Sequence, residues 1–190
     1  DDIVRTMTVS VAGGNSREVT LTQFAAGSGG DTKGIYTSMS QFIPAATSTT
    51  DRYYPSNSTI DGQPATGFKL GTSSLAGVFT SEALGASLTG DKKLSFYAVA
   101  WTGKAATVYI RVNNGGAVSG DGSHAIRASA GATGSGNDFT FTDVTDSDYY
   151  TFQLTGLTAA STVTISTSPD FTAASDRNTG RAIVLGVQVY

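Results

Sequence analysis

Cysteine is absent from the 190-residue chain, and histidine occurs once, at His124. The missing thiols exclude disulfides, iron–sulfur clusters, cysteine-based zinc sites and thiol catalysis, and a single histidine cannot build a multi-histidine metal site. A chain of this length can bury a substantial core without such cross-links. We therefore expect a fold that depends on hydrophobic packing, with no cofactor.

Charge is also sparse, since charged residues make up 14% of the chain and the formal net charge is −3. Globular proteins usually carry about a quarter of charged residues. No basic block offers a footprint to a nucleic-acid backbone, so we expect no nucleic-acid partner. No stretch approaches the roughly 20 apolar residues of a membrane helix, so we expect no transmembrane segment.

The first residues, Asp1-Asp2-Ile3, contain neither an initiator methionine nor a basic and apolar signal segment. We interpret this start as that of a mature or trimmed protein whose targeting segment or lipid anchor was removed. The expected location is therefore outside the cell, as a secreted or cell-surface protein.

Glycine is abundant, with 23 residues, and serine and threonine recur throughout. This composition favours strands with hydroxyl-bearing faces and glycine-rich turns over helices. Strand-like runs occupy 7–11, 18–22, 66–70, 77–80, 94–101, 107–112, 139–141, 149–154, 161–166 and 182–189. They predict an all-β, antiparallel sandwich.

The strand pattern also predicts how some runs pair. The runs 94–101 and 107–112 are interpreted as a hairpin, because a short polar connection separates them. The run 182–189 is almost wholly apolar, which predicts a central strand buried on both faces. Residues 25–65 and 113–138 are interpreted as loop-rich, so we expect one domain over 1–190, with 1–65 as an N-terminal extension of it.

A family resemblance covers roughly residues 66–190. Phe68-Lys69-Leu70-Gly71-Thr72-Ser73-Ser74 is followed by Phe79-Thr80-Ser81, by a strand that ends in Ala100-Trp101, and by a partner run over 108–116. This order resembles galactose-binding-like jelly-roll domains of surface and secreted proteins from Gram-negative gut bacteria of the Bacteroides type. The resemblance implies jelly-roll topology, and carbohydrate recognition or an accessory role beside a glycan-degrading system.

The same resemblance has an implication for calcium binding. Many such domains hold a structural calcium ion through an acidic residue in the final strand, where this sequence has Gly186. Asp143, Asp146 and Asp148 are a second place for a calcium ion, or for the carboxylates of a hydrolase. The alternative is a turn in which these aspartates accept hydrogen bonds from nearby backbone amides.

Two groups of aromatic and arginine side chains are candidate ligand-binding residues, because sugar rings stack on aromatic faces beside polar donors. In the second run of the predicted hairpin, Val108, Ile110 and Val112 share the core face. The first group lies on the opposite face of the hairpin: Tyr97, Trp101, Tyr109 and Arg111. The second group lies on the predicted long loops: Tyr36, Arg52, Tyr53 and Tyr54. The alternatives are that Tyr97 and Trp101 are core residues beneath a loop, and that Tyr53-Tyr54 anchors its loop to the sandwich.

A further polar stretch, Asp176, Arg177, Asn178 and Arg181, precedes the last strand and is open to interpretation as a salt-linked turn. Taken together, these patterns favour a non-catalytic domain that recognises glycan or polysaccharide. The first alternative is a structural or adhesive domain that contacts other surface proteins. A glycoside hydrolase built on aspartates is the third reading, which the scarcity of glutamate weighs against.

Overall fold

The computed structural model describes residues 3–9, 17–23, 36–135, 138–173 and 180–190. The chain divides into two compact units, Asp1–Gly34 and Ile35–Tyr190. Within the described residues, no helix is long and apolar enough to span a membrane. The prediction of one domain over 1–190 stays a prediction.

The described residues form fourteen strands and three short 3₁₀ helices. The strands are β1 Ile3–Val9, β2 Arg17–Gln23, β3 Tyr53–Ile60, β4 Gln63–Leu70, β5 Val78–Thr80, β6 Gly90–Ala100, β7 Ala106–Asn113, β8 Ala117–Ser119, β9 Ser123–Ile126, β10 Ala132–Ser135, β11 Asp138–Phe141, β12 Tyr149–Leu157, β13 Thr162–Ser166 and β14 Ala182–Val189. The 3₁₀ helices are Ser40–Phe42, Ala86–Leu88 and Asp146–Asp148.

The first unit contains an antiparallel pair of strands. β1 pairs with β2 in continuous register, from Ile3 opposite Gln23 to Val9 opposite Arg17. This confirms the strand predicted over 18–22 and, for residues 7–9, the strand predicted over 7–11. The residues between them lie outside the described part of the chain.

The second unit is an antiparallel sandwich of two sheets, as predicted. The larger sheet has the order β3-β4-β14-β6-β12-β8, and the smaller has the order β5-β13-β7-β9. Because β4, β6, β12 and β14 belong to one sheet and β5, β7, β9 and β13 to the other, the chain crosses repeatedly between sheets. This order is compatible with the predicted jelly-roll topology.

The core lies between the inner faces of the two sheets. Alternate residues of each strand point inward, so Phe68 of β4 and Phe96 of β6 meet Val108 of β7 and Ile165 of β13 in one hydrophobic cluster. The outer face of the larger sheet carries a second cluster that includes Ile60, Val99, Phe141, Ile183 and Leu185. The strand β14 is therefore buried on both faces, which confirms the prediction for 182–189.

The predicted hairpin of 94–101 with 107–112 is wrong. β6 and β7 belong to different sheets, and residues 101–105 carry the chain from one sheet to the other. The physical reason is that both strands have an apolar face, and two apolar faces are buried by packing sheet against sheet across a core. The prediction that Val108, Ile110 and Val112 share the core face is confirmed.

The interpretation of 113–138 as loop-rich missed the short strands β8, β9 and β10. The interpretation of 25–65 as loop-rich missed β3, which pairs with β4 along its whole length. β3 is polar and contains Pro55, features that sequence patterns count against a strand. It lies at the edge of the larger sheet, where proline is tolerated because one side of the strand needs no partner. The turn Asp61-Gly62 has positive φ at both residues, as a two-residue hairpin turn requires.

Candidate functional site

The predicted platform of Tyr97, Trp101, Tyr109 and Arg111 is not formed. Tyr97 lies on β6, in the outer cluster of the larger sheet, and Trp101 packs against that cluster. Tyr109 and Arg111 lie on β7, on the outer face of the smaller sheet. The two halves of the platform are therefore on opposite sides of the sandwich, because residues 101–105 carry the chain from the sheet of β6 to the sheet of β7.

Tyr97 and Trp101 have core-like surroundings, as the alternative interpretation held. Tyr97 is 6% exposed, and its hydroxyl donates a hydrogen bond of 3.2 Å to Asp146. The half-buried Trp101 ring meets Phe141 edge to face, with 5.5 Å between ring centroids. The Arg111 guanidinium lies over the Phe171 ring, 4.4 Å from its centroid.

The second predicted group is dispersed. Tyr53 and Tyr54 lie on β3 rather than on a loop, so their side chains point to opposite faces. Tyr53 meets Phe79 of the core edge to face, and Tyr54 is buried beneath the Lys69 ammonium group. Tyr36 packs edge to face against Tyr97 within the outer cluster. Arg52 precedes β3 with a positive φ of 59°.

Arg127, which the sequence patterns did not single out, binds two of the three predicted metal-ligand aspartates. Its guanidinium group donates to both carboxylate oxygens of Asp148 at 2.6 Å and to Asp143 at 2.9 Å. Asp148 also accepts the Thr145 amide, and Asp143 accepts the Ala130 amide. The backbone contacts match the turn alternative, and among the described residues no group of metal-binding side chains is assembled.

The electrostatics of Asp143 also argue against a role as proton donor. Burial acts to raise the pKa of Asp143, but hydrogen bonds from Ser129, Arg127 and the Ala130 amide outweigh it and lower the pKa to about 2. A general acid of glycoside hydrolysis needs a raised pKa, so that it still holds its proton near neutral pH. Asp143 is therefore unsuited to the role of that general acid.

An open surface that the sequence patterns missed lies on the outer face of the larger sheet. Of the described residues, three large hydrophobic side chains are exposed, and two of them are Tyr149 at 42% and Tyr190 at 55%. Tyr149 begins β12, and the backbone of Tyr190 pairs with Lys93 of β6. We name this region the Tyr149–Tyr190 surface; it comprises Lys93, Ser95, Tyr149, Thr151, Gln153, Gln188 and Tyr190.

A bulge in β14 builds one side of this surface. The register of β14 against β6 shifts between Leu185 and Gln188, and Gly186 there has a φ of 60°. Before the bulge, Leu185 belongs to the outer cluster, and after it Val187 and Val189 belong to the inner core. The extra residue therefore turns Gln188 and Tyr190 to the outer face, which unbroken alternation would not do.

The hydroxyl groups of Thr151 and Tyr190 both contact the hydroxyl group of Ser95. The Ser95 hydroxyl is 2.9 Å from that of Thr151 and 3.2 Å from that of Tyr190. Burial raises the pKa of Tyr149, whereas hydrogen bonds with Ser95 and then Tyr149 lower the pKa of Tyr190. The two tyrosines thus lie on either side of β6, whose Ser95 hydroxyl contacts that of Tyr190.

The register sets the spacing of the two tyrosines on this face. Tyr149 is opposite Tyr97 and Tyr190 is opposite Lys93, so their Cα atoms are two strand spacings and four residues apart, roughly 16 Å. The Tyr190 hydroxyl reaches the Ser95 hydroxyl at 3.2 Å. The Tyr149 ring packs on Tyr97 at a centroid distance of 4.8 Å, and both exposed tyrosines remain accessible to a ligand.

Polar groups suited to sugar hydroxyls surround the two rings. Thr151, Gln153 and Lys93 are exposed, and Gln188 is half-buried, with its amide nitrogen donating to the Thr37 carbonyl at 2.6 Å. Thr151 and Gln153 follow Tyr149 at alternate positions of β12, so they share its face. The surface is an open sheet face that offers ring faces, hydroxyl groups, amides and one ammonium group.

No family model matches the chain, and neither does a curated protein or a solved structure. The resemblance to galactose-binding-like domains therefore stays a prediction, as do the extracellular location and the carbohydrate recognition expected for this chain.

Proposed function

We propose that this protein is a non-catalytic glycan-recognition domain and that the Tyr149–Tyr190 surface is its binding site. The observation that supports the proposal is that two exposed tyrosines, at 42% and 55% exposure, share one outer sheet face with exposed hydroxyl, amide and ammonium side chains. The C–H faces of sugar rings stack on such aromatic faces, while polar neighbours bond their hydroxyl groups.

The shape of the site suggests the class of glycan. The surface spans the three adjacent strands β14, β6 and β12 on an open sheet face. Such a face contacts an extended chain of several sugar rings better than a single sugar, which needs a concave pocket to bury its surface. The proposed ligand is therefore a polysaccharide, and the proposed location is the exterior of the cell, where polysaccharides are met.

The test is a glycan array together with affinity electrophoresis in gels that contain soluble polysaccharides, each run with Ca²⁺ and with EDTA. We expect at least one polysaccharide to retard the wild-type protein equally in both conditions. Tyr149→Ala and Tyr190→Ala should each weaken that binding about tenfold, which corresponds to roughly 1.4 kcal/mol for a lost stacking contact.

Ile43→Ala is the matched control, because Ile43 is the third exposed large hydrophobic side chain, at 44%, and is not part of the surface. Tyr109→Ala is a second control, because it removes a tyrosine ring from the smaller sheet, outside the proposed site. Equal losses in the controls, or no binding to any glycan, would reject the proposal and leave the structural or adhesive role as the working hypothesis. Binding that EDTA abolishes would reject the metal-independent mechanism described here.

A further inference from the structure

A short segment near the start of the second unit lies beside the end of β14. The pairing of β14 with β4 stops at Leu185 opposite Gly67. The register of β14 against β6 shifts after the same residue, at the bulge described above. The strand beyond this point is still buried at Val187, so its backbone needs partners other than β4. Residues 37–39 supply them, and we name these residues the strap.

The buried hydroxyl group of Ser38 bridges the gap between the two strands. It donates to the Thr66 carbonyl of β4 at 2.8 Å and accepts the Val187 amide of β14 at 3.1 Å. The Ser38 amide in turn donates to the Thr66 hydroxyl at 2.9 Å. One side chain therefore pairs two buried backbone groups that direct pairing of β4 with β14 no longer satisfies.

The rest of the strap binds the residues that follow the bulge. The Met39 amide donates to the Val187 carbonyl at 2.9 Å, and the Val189 amide donates to the Met39 sulfur at 3.1 Å. The side-chain amide nitrogen of Gln188 donates to the Thr37 carbonyl at 2.6 Å. Each of the three residues 187–189 is therefore bonded to the strap.

The contact with Thr37 also determines which end of the Gln188 amide is left for a ligand. A carbonyl accepts hydrogen bonds and cannot donate them, so the amide nitrogen must be the atom that faces the Thr37 carbonyl. The amide oxygen of Gln188 accepts no hydrogen bond from the part of the chain that the structure describes. The strap thus leaves an acceptor that suits a sugar hydroxyl group.

The other side of the same strand end is held by β6. Tyr190 and Lys93 exchange two backbone hydrogen bonds, of 2.8 and 3.0 Å. The end of β14 therefore has two independent supports. Loss of the strap contacts should loosen this strand end locally without separating it from the sheet.

We propose that the strap is a positioning element of the Tyr149–Tyr190 surface, which keeps Gln188 and Tyr190 turned toward the ligand. The strap holds the backbone of β14 after the bulge and the side-chain amide of Gln188, and it acts on a ligand only through them. The effect of the strap on glycan binding rests on the proposed function. Its effect on the order of β14 is measured without a glycan.

Hydrogen exchange of single backbone amides, followed by NMR, tests the strap directly. Ser38→Ala removes the hydroxyl group that accepts the Val187 amide. We expect the Val187 and Val189 amides to exchange at least about tenfold faster than in wild type, relative to the amides of 182–185 in the same protein. The Val189 amide has its own acceptor on Met39, so its faster exchange would show that the strap is released as a unit.

Ser161→Ala is the matched control, because Ser161 is also buried and its hydroxyl group also joins two backbone groups. This hydroxyl donates to the Gly115 carbonyl at 2.6 Å and accepts the Thr158 amide at 2.8 Å. No hydrogen bond joins these three residues to the strap in the described part of the chain. Ser161→Ala should lower the free energy of unfolding in urea, as Ser38→Ala does, and leave the relative exchange of the Val187 and Val189 amides unchanged.

Binding tests the positioning role, by affinity electrophoresis in gels that contain xylan, galactomannan or β-glucan. For a polysaccharide that retards the wild type, Ser38→Ala should weaken binding at least about fivefold, whereas Ser161→Ala should bind as the wild type does. If Ser38→Ala does not fold, Met39→Leu replaces it in both experiments. This substitution keeps an apolar side chain of similar size and removes the sulfur that accepts the Val189 amide.

The outcomes separate this inference from the proposed function. Faster exchange of both amides together with weaker binding, in Ser38→Ala but not in Ser161→Ala, supports the strap. Faster exchange of Val187 alone, or equal changes in the two variants, overturns it even if the protein binds a glycan. Unchanged binding by Ser38→Ala of a polysaccharide that retards the wild type overturns the positioning role and leaves the glycan function intact. A wild type that no polysaccharide retards rejects the glycan function, and the positioning role with it.

Discussion

Arg127 holds Asp148 through two parallel hydrogen bonds, from Nε to Oδ1 and from Nη2 to Oδ2, each 2.6 Å long. Asp148 ends the 3₁₀ helix Asp146–Asp148, and the next residue is Tyr149 of the proposed binding surface. The same guanidinium binds Asp143 at 2.9 Å, so one side chain secures both ends of the segment that leads into β12. This ion network positions the start of β12 and therefore the Tyr149 ring.

Asp148→Asn should destabilise the fold by about 1–2 kcal/mol, because the 1% exposed Asp148 loses its charged hydrogen bonds to Arg127, whereas the 39% exposed Arg127 keeps solvent and Asp143. Urea denaturation at neutral pH measures the free energy of unfolding. Asp121→Asn is the control, since Asp121 is exposed and should change stability by less than about 0.5 kcal/mol. Equal effects of the two substitutions would show that the ion pair does not stabilise the protein.

Acid should remove the contribution of Asp143 to the free energy of unfolding. The pKa of Asp143 is lowered from 3.8 to about 2 in the folded protein, so the unfolded chain binds this proton first as the pH falls. The stabilisation is therefore complete above about pH 4 and is lost between about pH 4 and pH 2. Wild type should exceed Asp143→Asn in free energy of unfolding at pH 5, and the difference should shrink toward pH 2. A difference that does not change with pH would contradict this assignment.

Gly186→Ala should cost about 1 kcal/mol, because a Cβ atom disfavours the positive φ of 60° at this residue. Gly186→Asn should cost more, because asparagine tolerates the left-handed conformation but its amide would be buried at this position. Deleting Gly186 should do more than either substitution. It would restore unbroken alternation along β14 and turn Gln188 and Tyr190 toward the core. Urea denaturation compares the substitutions, and polysaccharide binding should be absent from the deletion variant even if it folds.

Lys69 should make the free energy of unfolding depend on pH in the alkaline range. Because its pKa is lowered from 10.5 to about 8, the folded protein releases this proton while the unfolded chain still holds it. The free energy of unfolding should therefore rise with pH between about 8 and about 10.5, relative to Lys69→Met. The titratable groups that face Lys69 among the described residues are Tyr54 on β3 and Arg181 on β14. Parallel curves for the two proteins would contradict the prediction.

Local pattern was sufficient to predict most strands and the fold class. Alternation placed Val108, Ile110 and Val112 on the core face of β7, and the apolar run 182–189 lies centrally, as predicted. The turn Asp61-Gly62 was a hairpin signal that would have revealed β3, had the proline and polar residues of that strand not outweighed it. These features depend on neighbours in the chain, so the sequence contains them.

The site depends on contacts that no local pattern records. Whether β7 pairs with β6 or faces it across the core decides on which side Tyr109 and Arg111 lie. Nothing near Arg127 in the chain indicates that it binds Asp143 and Asp148, which are brought to it by the folding of a later segment.

By itself the sequence determined an all-β sandwich, its principal strands, the inward-facing residues of β7 and the burial of its last strand. The tertiary structure alone decided which polar and aromatic residues share a surface. The reason is that alternation fixes a side chain's face relative to its own strand, whereas strand order and a single bulge at Gly186 fix which strands lie side by side and where alternation reverses. Tyr149 and Tyr190 share the outer face of the larger sheet because both conditions are satisfied.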